Sequence, residues 1–157
     1  MNKPIVIIAG EPNSISSEII FKSWALRKKY FHKPFFIIGN VRLLNLQKKK
    51  LKFKFKIKKI NKNFKKKDLK KNELPVYDIE YEQKKPFENI SNKSKKYIFK
   101  CFDVAINLAK RKKITGFINC PVAKEFLFEK KYQGITEYLS HKLNSKGKEV
   151  MLIYNKK

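Results

Sequence analysis

Apolar residues near the start of the chain fall in two short unbroken runs, each closed by a polar turn and followed by a helically spaced stretch. Pro4 to Ala9 is the first run, and Gly10 closes it. Such a run reads as a strand buried on both faces of a parallel sheet. Gly10-Glu11-Pro12-Asn13-Ser14 is a turn, and from Ile15 the positions Ile15, Ile19, Ile20, Trp24 and Leu26 keep helical spacing. Asn13 or Ser14 supplies the N-cap, with Glu18 near the positive end of the helix dipole. Lys33 to Gly39 repeats the design: Phe35, Phe36, Ile37 and Ile38 form a second buried strand, and a short helix follows from Val41 to about Lys49. Leu51, Phe53, Phe55 and Ile57 then alternate with Lys52, Lys54, Lys56 and Lys58. That period of two predicts a half-exposed strand at a sheet edge, where lysines also discourage pairing with other chains.

Further on, residues 59–72 form a lysine-rich connection, and Leu74 to Tyr81 is another strand. Ser91 to Lys112 carries the strongest helical pattern, with Tyr97, Ile98, Cys101, Val104, Ala105, Leu108 and Ala109 on one face. Gly116 to Cys120 is a strand, Pro121 opens a helix at its favoured first position, and Thr136 to Asn144 is a further helix. Glu149 to Tyr154 is a last apolar strand. Strands alternating with helices imply one α/β domain over residues 1–157, a three-layer α/β/α arrangement around a mostly parallel or mixed sheet. Nothing follows the last strand to cover it, so the expectation is the front portion of a longer protein.

Composition changes this picture less than its extremes suggest. The formal net charge is +26, from 39 basic and 13 acidic residues, which points toward nucleic acid or an anionic surface. Yet only Arg27, Arg42 and Arg111 are arginines, and arginine is the residue that grips phosphates and guanine edges bidentately. The chain is also rich in Asn, Ile and Phe and poor in Gly, so a bias toward A/T-rich codons accounts for the lysines without a partner. Cys101 and Cys120 form no C-x-x-C pair, which fits reduced, cytoplasmic thiols. No apolar run approaches membrane-spanning length.

Three places could carry chemistry. Gly10 to Asn13 lies between the first strand and helix, where α/β folds present N–H groups to anions, although it matches neither G-x-G-x-x-G nor the P-loop pattern. Lys124 falls in the first turn of a helix after Asn119-Cys120-Pro121, a position unfavourable to the dipole unless it faces an anionic ligand. Gly134-Ile135-Thr136-Glu137 is a helix start, with Thr136 either its cap or a hydroxyl donor to phosphate. His32 and His141 lack companions at metal-ligand spacing.

Three segments together resemble the N-terminal half of the 4-hydroxythreonine-4-phosphate dehydrogenase family, oxidoreductases of pyridoxal phosphate (vitamin B6) biosynthesis. Ile7 to Ile15 resembles that family's opening strand and Gly-Glu-Pro-x-Gly-Ile turn, with Ser14 at the second glycine. Gly116 to Lys124 resembles its strand ending in Gly-Pro-[IV]-x-Lys, with Cys120 at the glycine. Gly134 to Leu139 resembles Gly-His-Thr-Glu-[FY]-[LF], with Ile135 at the histidine. The resemblance implies one lobe of an isocitrate-dehydrogenase-like two-lobed enzyme, a homodimer or a complementary C-terminal half as partner, NAD or NADP, and a divalent metal (Zn, Mg or Co). It also implies that Thr136 contacts a phosphorylated hydroxy-amino acid substrate, with Lys124 close by. Ile135 cannot donate a hydrogen bond as the family histidine does. The family's metal-binding histidines fall beyond residue 157, so the resemblance implies a truncated, split or degenerate form that does not complete the reaction alone. Two other readings remain open: a basic nucleic-acid-binding protein using residues 48–71, with Phe53 and Phe55 as stacking platforms, and a catalytically silent partner subunit.

Overall fold

The computed structural model describes residues 3–30, 33–69, 72–145, 147–150 and 152–155; His32 lies outside them. Among them five strands, β1 (Ile5–Ile8), β2 (Phe35–Gly39), β3 (Lys56–Ile60), β4 (Glu73–Asp78) and β5 (Gly116–Asn119), run in one sheet of order β3-β4-β2-β1-β5. Every pairing is parallel. The helices are α1 (Ser16–Tyr30), α2 (Val41–Lys50), α3 (Lys95–Lys110), α4 (Lys124–Phe128) and α5 (Ile135–Lys142).

The unbroken apolar runs are explained by the two faces they serve. Val6, Ile8, Phe36 and Ile38 pack with Ile98, Cys101, Phe102 and Ala105 of α3. Their neighbours Ile7, Phe35 and Ile37 pack with Ile20, Phe21 and Trp24 of α1 and Leu44 of α2. Successive side chains of a strand point to opposite faces, so a sheet covered by helices on both sides needs apolar residues at every position. The result is a three-layer α/β/α stack with an all-parallel sheet.

Several boundaries and faces differ from expectation. On α1 the buried positions are Ser16, Ser17, Ile20, Phe21 and Trp24, whereas Ile15 is 62% exposed and Leu26 51%. Two serines tight against the sheet conceal the helical stripe from a hydrophobicity count. Asn13 does not cap this helix; its side-chain oxygen accepts from Gln83 Nε2 and the Glu88 N–H, both at 2.9 Å. Ser14 Oγ accepts the Ser16 N–H at 3.2 Å. Pro121 does not open a helix: α4 begins three residues later at Lys124, because the Pro121 carbonyl is held by the β1–α1 turn. Glu149 to Tyr154 forms no strand among its described residues, and Leu152 and Ile153 are 88% and 92% exposed with no strand beside them.

The edge strand β3 starts at Lys56 rather than Leu51, because α2 ends in a tight reversal that consumes the first residues of the alternating run. Lys52 sits at φ 59°, its N–H bonding Lys49 O, while the Phe53 N–H bonds Lys48 O. This is a Schellman termination. The alternation still describes the packing: Leu51, Phe53, Phe55 and Ile57 lie against the α1 side of the core. Phe53 and Phe55 meet Phe21 edge-on, centroids 5.4 and 5.5 Å away, so neither ring is a free platform for a base.

The same reversal ends α3, where Lys112 lies at φ 54° with its N–H on Ala109 O and the Lys113 N–H on Leu108 O. A lysine occupies the left-handed position that glycine adopts without strain. Lys112→Gly is therefore expected to stabilise the fold by about 0.5–1 kcal/mol, read as a higher urea midpoint. A lower midpoint would contradict this account of the helix end.

Candidate functional site

The chain moves from β1 through β2 to the edge strand β3, steps back to β4 between them, then crosses to place β5 on the other side of β1. The carboxyl ends of β1 and β5 thus flank the topological switch point, where open α/β sheets bind their ligands. Here the crevice is stitched shut. The Glu11 N–H donates to Pro121 O at 2.9 Å, Ser16 Oγ donates to the same oxygen at 3.3 Å, and the Cys120 N–H bonds Ile8 O at 3.0 Å. The Asn13 N–H is taken by Glu11 Oε1 at 3.1 Å and the Ser14 N–H by Glu11 O at 3.3 Å. Glu11 itself is 1% exposed, and its other oxygen accepts from Ser94 Oγ at 2.7 Å. An anion approaching this turn would find its donors spent and a carboxylate already inside.

The loop leaving β5 delivers Lys124 to the start of α4, and the short link after α4 brings α5 back beside it. The two meet at Gly134, which is buried. A side-chain carbon on Gly134 would stand 3.2 Å from Glu137 Oε2 and 3.6 Å from Lys124 Nζ. Gly134 is the N-cap of α5 and offers no side-chain hydrogen bond, so it caps none of the N–H groups that the first helical turn leaves unsatisfied. Ile135 is half-buried against the core and Thr136 is exposed. Thr136 is not the cap; it sits one residue inside the helix, and its hydroxyl takes no partner among the described residues. Lys124 likewise has no ion-pair partner among them.

The Lys124 ammonium thus lies beside the N-terminus of α5, with Thr136 one residue inside that helix, a set of donors suited to phosphate. Glu137 is the residue that sequence reasoning did not weigh. An acidic side chain in a first turn normally complements the dipole, and here it also competes with any bound anion. The other groups singled out lie elsewhere. His141 Nδ1 meets the Tyr132 hydroxyl at 3.2 Å. Burial raises the Cys101 thiol to about 12 and the Cys120 thiol to about 11, so both stay protonated near neutrality.

Neither implied cofactor finds its cradle in these residues. Among the described residues no group of three His, Cys, Asp or Glu side chains could hold a metal ion. A dinucleotide pyrophosphate needs close backbone approach at the first β–α turn, and there Pro121 O would lie 2.5 Å from a carbon on Gly10. The residues present do not fit either group. No helix among the described residues is long and apolar enough to cross a membrane.

A curated 4-hydroxythreonine-4-phosphate dehydrogenase from Caulobacter vibrioides is 28% identical over 142 residues, covering 88% of this chain and 41% of the relative. This chain therefore spans about two-fifths of that relative's length. A crystal structure of a 4-hydroxythreonine-4-phosphate dehydrogenase from Burkholderia phymatum shares the fold at a TM-score of 0.79 and 24% identity, over 90% of this chain and 43% of that one. A terephthalate 1,2-cis-dihydrodioldehydrogenase from Burkholderia xenovorans LB400 shares it at 0.65 and 13% identity, over 91% of this chain and 41% of that one. The family model for pyridoxal phosphate biosynthetic protein PdxA matches residues 31–157, a span that contains both the Gly116–Lys124 and Gly134–Leu139 segments but not the Gly10–Ile15 turn. With more than half its length matched, the chain belongs to the pyridoxal phosphate biosynthetic protein PdxA family.

Proposed function

We propose that this chain is the phosphate-holding portion of an NAD- or NADP-dependent oxidoreductase acting on 4-phosphohydroxy-L-threonine in pyridoxal phosphate biosynthesis. The observation that carries the reading is the meeting of Lys124 and the α5 N-terminus at Gly134. A phosphate seated there would accept hydrogen bonds from the first-turn N–H groups of α5 and from the Thr136 hydroxyl, with the Lys124 ammonium balancing its charge. Ile135 adds no donor where the resemblance places a histidine, so affinity should fall below that of a relative carrying one. The role of these residues is to bind and orient; residues 1–157 act as one α/β domain that pairs with a second copy or with a complementary C-terminal half.

Calorimetric titration with 4-phosphohydroxy-L-threonine tests this. Lys124→Ala and Thr136→Val should each weaken binding by about tenfold or more, the scale of a lost charge-assisted hydrogen bond. Ile135→His should tighten it several-fold. Native-like affinity in both loss variants would overturn the assignment.

A further inference from the structure

A second concavity, about 650 Å³ in volume, opens where α3, α4 and α5 meet, and neither Lys124 nor Thr136 lines it. Its floor is aromatic. Phe99, Phe128, Tyr132 and Tyr138 stand in mutual ring contact, centroids 5.2 to 6.3 Å apart. Lys95, Lys131 and Lys142 line it with Glu129 as the one carboxylate. Lys95 is spent on Glu129 at 2.7 Å and Lys142 on Asp103 at 3.2 Å, while Lys131 approaches only the Tyr132 ring face, 5.8 Å from its centroid.

One polar group in this wall is unexplained. The Tyr138 hydroxyl is buried without a hydrogen-bond partner, although the residue lines the cavity and is 2% exposed. The Tyr132 hydroxyl, by contrast, reaches His141. Burial, then the neighbouring Asp103 and Tyr132, raise the Tyr138 phenol above its ordinary value, so its O–H stays in place near neutrality and can donate to an acceptor. A buried polar group left unpaired in a native fold calls for a ligand, a water or a strain account. An aromatic floor, one lysine at the edge without an ion pair among the described residues and an unmet hydroxyl are complementary to one kind of molecule.

We infer that this α3–α4–α5 cavity binds a planar aromatic molecule carrying an anionic group, its ring against Phe99 and Phe128 and its anion between Lys131 and the Tyr138 hydroxyl. The inference does not depend on the phosphate corner at Gly134, because its residues and its ligand chemistry differ.

Two-dimensional amide NMR of the full chain, titrated with 1-naphthyl phosphate, tests it, with 1-naphthylmethanol as the uncharged ring and inorganic phosphate as the ring-free anion. Saturable shifts at Phe99, Phe128, Tyr132 and Tyr138 are expected with 1-naphthyl phosphate. The uncharged ring should bind at least tenfold more weakly, and inorganic phosphate should leave these signals in place. Tyr138→Phe removes the unpaired hydroxyl and so should fold at least as stably, yet bind 1-naphthyl phosphate about fivefold more weakly; Lys131→Gln should do likewise. No saturable shift in these residues, equal binding of the uncharged ring, or unchanged affinity in both variants would overturn the site.

Discussion

Gly10→Ala is expected to lower stability by roughly 2–4 kcal/mol, the largest effect of a methyl group added at any of the chain's glycines. Gly10 lies at φ +69°, where a side chain is strained. The added carbon would also stand 2.5 Å from Pro121 O and 2.9 Å from Cys120 O. These are backbone atoms that cannot rotate away. The exit loop of β5 must retreat, and with it go the Glu11 N–H and Ser16 hydroxyl contacts to Pro121 O. Because that loop leads directly to Lys124, phosphate binding should weaken along with stability. Urea denaturation reads the first effect as a lower midpoint. Gly116→Ala is the control: nothing lies within 4 Å of its added carbon, so its midpoint should stay within about 0.5 kcal/mol of native. Equal midpoints for the two variants would contradict the stitched crevice.

Glu11→Ala should cost about 2–4 kcal/mol, for a different reason. The carboxylate ties the start of α1 to the start of α3 by accepting from the Asn13 N–H and from Ser94 Oγ, and Ser94 is itself buried. Alanine leaves the Asn13 N–H without its Glu11 acceptor and Ser94 Oγ with only the longer 3.3 Å bond to Ser91 O, beside a void. Glu11→Gln keeps an acceptor oxygen and the volume, so it should lose about half as much. The ordering, alanine worse than glutamine, distinguishes a hydrogen-bonded strut from a carboxylate needed for its charge. A glutamine variant as unstable as alanine would reject the strut.

Much of this architecture is legible in the residues, and the misses share a cause. Pro4 to Ala9 and Phe35 to Ile38 are apolar at every position because helices cover both sheet faces, and no tertiary knowledge is needed to read that. Asn40 caps α2, its Oδ1 accepting the Leu43 N–H at 2.8 Å, a role the sequence reading did not assign. Pro121 misleads because a proline after a strand looks like a first helical residue, while its true constraint is a carbonyl bonded to a turn more than a hundred positions earlier. Ser16 and Ser17 mislead because small polar residues can be buried wherever a helix sits close to a sheet. Glu149 to Tyr154 has a strand's composition, but a strand also needs a neighbour. At the candidate site, Lys124 and Thr136 lie twelve positions apart in segments that resemble family motifs, and the fold brings their segments together at Gly134. Nothing in the one-dimensional pattern shows that Glu137 turns back to the same point, nor that Tyr138 keeps an unmet hydroxyl.

Amide NMR of the native chain titrated with 4-phosphohydroxy-L-threonine would show whether the α4–α5 corner holds the substrate's phosphate. Saturable shifts are expected, concentrated at Lys124 and at Ile135, Thr136 and Glu137, and enhanced in Glu137→Gln, where a neutral amide replaces the competing carboxylate. Shifts confined to the Gly10–Ser14 turn, or no saturable shift at all, would contradict that placement.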